Sequence, residues 1–202
     1  ADGQNIHNKW YNWLKNNVNS LNFDRSIDIA SKISAEYTPI DWQLDIKSGY
    51  RWNGIEWSHD IQYGNIKGAD IKVPWELGRM QHLIWLALAF ILIQKNKKDT
   101  DIDTEINVHN NNIYVNEFKN EILDFIASNP PRFGVQWMSS MDIGIRAVNW
   151  LIAYDMFKGF GVDFDEEFEQ IFLDSIIHHA IHLINNLEWS SGMRGNHYFT
   201  NI

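Results

Sequence analysis

The 202-residue sequence contains no cysteine, which excludes disulfides and thiolate metal sites and leaves the redox compartment open. Its four prolines are too few to interrupt long periodic runs, and those runs point to an all-α protein. Positive charge is also short: 17 Lys and Arg face 26 Asp and Glu, a formal charge of −9. Nucleic acid and anionic membrane surfaces are therefore disfavoured as partners, and an acidic polymer can bind only at a locally basic cleft. The apolar run from Leu83 to Ile93 is too short to span a bilayer. No phosphate loop, nucleophile elbow or dinucleotide fingerprint occurs, and no sequence-level repeat. No signal peptide is recognisable after Ala1, and the chain stops at Ile202 directly after a polar cluster, which gives the expectation of a fragment of a longer protein.

What is present is apolar and aromatic. Hydrophobic residues make up 45 % and aromatics 14 %, enough for a proper core, and ten tryptophans can cover core surfaces and sugar rings alike. Ile6, Trp10, Trp13, Leu14, Val18 and Leu21 fall on one face of a helix over 6–22, and a short helix is expected from Ile27 to Ala35. From Tyr37 to Lys72 the chain is rich in Gly, Asp and Trp. It reads as a long irregular excursion with two short extended pieces, around Trp42–Ile46 and Trp57–Ile61. A loop so long either lines a groove or wraps the body, with Trp42, Trp52 and Trp57 pinning it.

Pro74 starts a helix running to about Lys95, coated with apolar residues in its second half and so expected to be buried among other helices. A polar stretch, Asn96 to Asn112, reads in part as a solvated loop, and Tyr114 to Ala127 is the next helix, stopped by Asn129-Pro130-Pro131. Ser139 and Asp142 offer a capping box for a helix to about Phe157. Asp163 is the expected cap of a last helix that reaches about Leu187. The pattern is one of antiparallel helical hairpins.

Chemistry-bearing groups gather at three helix junctions. Lys72, Trp75, Glu76, Arg79, Gln81 and His82 lie at the first, and Asn129, Arg132, Gln136, Trp137, Asp142, Arg146 and Asn149 at the second. Glu188, Arg194, Asn196 and His197 lie at the third, where Gly192 and Gly195 let the backbone leave the helix steeply. Converging on one end of a bundle, such cations, amides and indoles suit a carboxylated sugar chain. For Glu76, Arg79, Asp142 and Arg146 the alternative, buried ion pairs that tie helices together, is the stronger reading. His178 and His182 share a helix face, as zinc ligands can, but no Glu follows His178 and no third ligand is evident, so no metal is expected. Asp142 and Glu188 are conceivable as paired carboxylates for glycoside hydrolysis, with nothing in the sequence to set their separation.

Three blocks in order carry a resemblance. They are Asp70-Ile71-Lys72-Val73-Pro74-Trp75-Glu76-Leu77-Gly78-Arg79-Met80-Gln81, then Asn129-Pro130-Pro131-Arg132-Phe133-Gly134-Val135-Gln136-Trp137 through Ile145-Arg146-Ala147-Val148-Asn149-Trp150, then Arg194-Gly195-Asn196-His197-Tyr198. Together they resemble the N-terminal region of the heparinase II/III-like polysaccharide lyases, from about residue 37 onward.

The resemblance implies an incomplete (α/α) toroid followed by a β-sandwich domain, with the active site between them and no cofactor; it favours a periplasmic or secreted setting and leaves a cytoplasmic one open. It implies cleavage of an acidic, uronic-acid polysaccharide (heparin- or heparan-sulfate-, alginate- or capsule-like) by β-elimination. The C5 proton beside a carboxylate is poorly acidic until that charge is neutralised, and amide or imidazole donors stabilise the enolate-like intermediate as an oxyanion hole would. Asn196 matches the family's carboxylate-neutralising Asn, and His197 the His that accompanies it in some branches. The family's catalytic Tyr and second His would fall beyond Ile202, and Tyr198 is read as packing. The substrate-binding set is Lys72, Trp75, Arg79, His82, Arg132, Gln136, Trp137, Arg146, Glu188 and Arg194. Residues 1–202 are thus expected to be the N-terminal part of the toroid, inactive alone and partnered by the protein's own β-sandwich. The alternative is a helical carbohydrate-binding scaffold without turnover.

Overall fold

The computed structural model describes residues 2–98 and 105–188. Its elements are α1 (Asp2–Asn17), α2 (Phe23–Ala30), α3 (Lys72–Gly78), α4 (His82–Lys98), α5 (Glu105–Ser128), α6 (Ser140–Gly159) and α7 (Glu166–Asn185), with a 3-10 turn at Val135–Trp137. The expected all-α class holds. Among the described residues the two extended pieces reduce to isolated bridges, Leu44 with Arg51 and Trp57 with Phe133. The second helix starts and ends earlier than its apolar pattern indicated, and part of the polar stretch is helical, since α4 reaches Lys98 and α5 starts at Glu105.

Side-chain pairs fix the helix directions. Ser140 meets Asn186, Arg146 meets His179 and Tyr154 meets Glu169, so α6 and α7 are antiparallel. Phe118 meets Phe157 and Phe125 meets Trp150, so α5 also opposes α6. Trp150 donates to Met80 Sδ and Phe90 packs on Phe157, so α4 runs with α6. The core between these hairpins is a column of rings, in which Phe118 lies 5.0 Å from Phe157, 5.7 Å from Phe164 and 6.1 Å from Phe168 between centroids. All four rings are buried, as are Trp150 and Phe172 beyond them. Burying one such side chain is worth about 1.5–3 kcal/mol, so this column supplies much of the drive to fold.

Two expected boundaries are corrected. The helix from Pro74 breaks at Met80, whose φ is +50°, and α4 begins anew at His82. Side chains of α6 make the break tolerable, because Arg146 Nη1 donates to Gly78 O (3.2 Å) and Asn149 Nδ2 to Arg79 O (2.8 Å). Carbonyls that a continuous helix would have satisfied are thus met from across the core. The cap of α7 is Asp165, whose Oδ1 accepts from Phe168 N at 2.9 Å, not Asp163. Phe164 is buried in the ring column ahead of the helix, and the cap Asp165 is itself extended, so the helix starts two residues later. The cap of α6 is Ser139, as its sequence indicated, with Asp142 N donating to Ser139 Oγ at 3.3 Å.

The excursion between α2 and α3 is an ordered wrap seated on the α5–α6 connection. Tyr37 Oη and Ile40 N donate to Asp124 Oδ2 at 3.0 and 2.8 Å, anchoring its start on α5. Gln43 Nε2 donates to Asn129 Oδ1 (2.8 Å), and its Oε1 accepts from Val135 N (2.9 Å). Gly134 lies at φ +70°, and a Cβ there would fall 2.6 Å from Gln43 Nε2, so both backbone and space demand glycine. Ser58 N then donates to Arg132 O at 2.9 Å and Gly134 N to Glu56 O at 3.0 Å. Trp42 and Trp52 are buried by this docking, while Trp57 keeps an open face.

Candidate functional site

Where the wrap, the α5–α6 connection and the last turns of α7 meet, they enclose a cavity of about 330 Å³. Its lining is Trp57 and His59 from the wrap, Pro131, Arg132 and Trp137 from the connection, and His178, Ile181, His182, Asn185 and Asn186 from α7. In a chain of charge −9 this wall holds no carboxylate among the described residues, only a guanidinium, imidazoles, amides and indoles.

Each wall has a local cause. Arg132 follows two prolines and sits at φ +77°, a left-handed conformation that disfavours a residue with a Cβ. That turn carries its guanidinium 6.0 Å above the Trp57 ring, and among the described residues it makes no ion pair or hydrogen bond. His178 and His182 project from successive turns of α7. Beneath them Trp137 is buried, its Nε1 donating to Asn129 O at 2.9 Å and its ring 5.4 Å from that of His182.

The floor rests on Arg146, which is fully buried. Its Nε donates to His179 Nε2 (2.9 Å), its Nη1 to Gly78 O and its Nη2 to Gln136 O (3.1 Å), and it stacks 4.3 Å from Phe125. His179 uses both ring nitrogens, since Nδ1–H donates to Ser175 O at 2.7 Å, so it is a neutral imidazole in one fixed tautomer. Burial and the Arg146 charge hold His179 well below the ordinary histidine range. Burial, then Arg146, His59 and Arg132, pull His182 down to about 4, and burial followed by Arg25 lowers His178. At neutral pH α7 therefore presents uncharged imidazoles, and Arg132 brings a guanidinium charge to the cavity.

The other expected substrate contacts lie elsewhere or have structural duties. Gln136 is buried, its Nε2 donating to Trp42 O (2.6 Å) and Pro74 O (2.7 Å), and Trp75 Nε1 donates to Val135 O (2.9 Å). Arg79 pairs with Asp142 (2.5 Å) and Glu76 (2.6 Å), the helix-tying arrangement favoured from sequence, whereas Arg146 takes His179 in place of an acid. His82 pairs with Glu121 at the start of α4, and Lys72 is exposed on α3. Glu188 accepts from Met141 N at 3.2 Å, close to the first turn of α6. Arg194, Asn196 and His197 lie outside the described residues.

Local sequence does not single out His59, Asn185 or the place of His178 and His182 as a neutral imidazole wall of the cavity. The shared helix face of His178 and His182 was a signal, but it was weighed as a metal pair. Among the described residues no group of three or more His, Asp or Glu is disposed to hold a metal ion.

The family model for the heparinase II/III N-terminus matches residues 3–202, almost the whole chain. Comparison with curated proteins and with solved structures gives no match.

Proposed function

The chain belongs to the heparinase II/III N-terminal family, and on that footing we propose that it is part of a lyase that cleaves a uronic-acid polysaccharide by β-elimination. The observation that carries this reading is the match over residues 3–202, which takes in the Arg194-Gly195-Asn196-His197 block. In this reading Asn196 and His197 donate to the C6 carboxylate and lower the barrier to loss of the C5 proton, while the base comes from beyond Ile202. The helices form the N-terminal part of an incomplete toroid and a β-sandwich completes the cleft. The carboxylate-free cavity supports the reading, because its wall ends at Asn186, ten residues before Asn196, and a polyanion meets no acidic group there.

The test uses the intact protein with a panel of heparan-sulfate-, alginate- and capsule-type polymers, read by ultraviolet absorbance of unsaturated uronide ends. Growth of that signal on at least one polymer is the expected result. No growth on any of them, the producer's own surface polymer included, sinks the lyase and leaves a binding scaffold.

A further inference from the structure

We propose that the cavity between Trp57, Arg132 and α7 is a subsite for one sugar ring bearing a single oxyanion, with the anion on Arg132, His59 and His182 and the apolar ring face on Trp57. It rests on the lyase reading only for the choice of a sugar as the anion's carrier.

Three independent observations lead there. The first is charge: the lining has a guanidinium and imidazoles and no acid, against a molecular charge of −9. The second is Arg132 itself. Arg25, Arg51 and Arg79 face carboxylates and Arg146 is buried on three acceptors, whereas Arg132 meets no acceptor among the described residues. Its left-handed backbone, unfavourable for arginine, is held by the Ser58 N to Arg132 O hydrogen bond, so the strain is maintained by the same wrap that supplies Trp57. The third is shape: about 330 Å³ fits one pyranose ring, with a half-open indole as one wall and the amides of Asn185 and Asn186 available to hydroxyls.

The groups facing the anion also give the subsite a pH dependence. His178 and His182 come from α7, His59 from the wrap, Arg132 from the connection, Arg146 from α6 below, and Arg25 from α2; Asp174 on α7 is the acid that acts on His178. Without a ligand, burial and then repulsion from these cations lower His178 and His182. A bound anion offsets that repulsion, so the complex takes up a proton more readily than the free cavity, and affinity rises as pH falls. A sugar carboxylate stays ionised through this range.

The experiment titrates the 202-residue chain with methyl glucuronide, methyl glucoside and sodium sulfate, by tryptophan fluorescence and calorimetry at low salt. The expected result is glucuronide binding with a Kd on the order of millimolar, tighter than sulfate, tightening from about pH 7.5 to about pH 5.5, and no binding of glucoside. Arg132→Gln weakens glucuronide and sulfate by roughly tenfold, Arg132→Lys by less, and Trp57→Ala weakens glucuronide alone. Melting curves on each variant verify folding, and the lysine variant gives a second reading of the same contact.

Glucoside binding as tightly as glucuronide, indifference to both Arg132 variants, or glucuronide no tighter than sulfate overturns the subsite. Lyase activity of the intact protein without glucuronide binding here removes the subsite alone. Binding without activity removes the lyase alone.

Discussion

Arg146 Nε donates to His179 Nε2 across the α6–α7 interface at 2.9 Å, pairing a fully buried guanidinium with a neutral imidazole instead of a carboxylate. Burial draws this guanidinium down to about 9, and it remains charged at neutral pH. The same side chain also satisfies Gly78 O and Gln136 O, so one cation joins α3, the 3-10 turn, α6 and α7 beneath the cavity.

Replacing Arg146 by methionine leaves His179 Nε2 and two buried carbonyls without donors. Each orphaned group costs about 1–3 kcal/mol, so Arg146→Met should lose at least about 3 kcal/mol in urea unfolding. Arg146→Lys keeps the charge but cannot reach three acceptors with one ammonium, and should recover only part of that loss.

A Cβ added at Gly78 would lie 1.8 Å from Gln136 Oε1. The amide cannot swing aside freely, because its Nε2 holds Trp42 O and Pro74 O. Gly78→Ala should therefore destabilise by about 2 kcal/mol, and adding Gln136→Ala should restore part of it, a coupling that a double-mutant cycle reads directly. Independent, additive losses would contradict this packing.

Asp124 gives a pH dependence of stability. Burial pushes its carboxyl up to about 7, although Ile40 N and the Ser128 and Tyr37 hydroxyls donate to it. The folded state thus binds a proton that the unfolded state has released, and the stability this group contributes below pH 3.8 is lost as pH rises to about 7. His182 works the other way: its pKa is lowered to about 4, so stability is lost as pH falls below about 6.5. Asp124→Asn removes the first trend and keeps the second. Relative to the parent, the variant should gain up to about 4 kcal/mol between pH 4 and pH 7, measured by urea midpoints; an unchanged difference would mean the carboxyl is not protonated in the fold.

Much of this architecture is legible in local sequence. Apolar spacing gives α6 and α7 to within a turn, and Ser139 declares its cap, because both depend on neighbours within four residues, whereas α5 starts nine residues before its apolar pattern does. The break at Met80 is not legible, since it is stabilised by Arg146 and Asn149 from α6. Nor is the shift of the cap from Asp163 to Asp165, which the distant ring column imposes through Phe164. The cavity was hidden for the same reason: Trp57, Arg132 and His182 lie far apart in the chain and meet only after the wrap docks. Residue type alone suggests Gln136 as a ligand contact, and only its burial and its bonds to Trp42 O and Pro74 O show its structural duty.

The central claim is that Asn196 neutralises a substrate carboxylate in the intact protein. Turnover and melting temperature should be measured together on the parent and on Asn196→Ala, with a polyuronate the parent cleaves. Loss of one oxyanion-type donor costs about 3 kcal/mol, so turnover per folded molecule should fall by about a hundredfold or more while melting is unchanged. A variant that melts early, by about 1 kcal/mol of stability, yet turns over normally per folded molecule would contradict the claim and make Asn196 a brace of its turn.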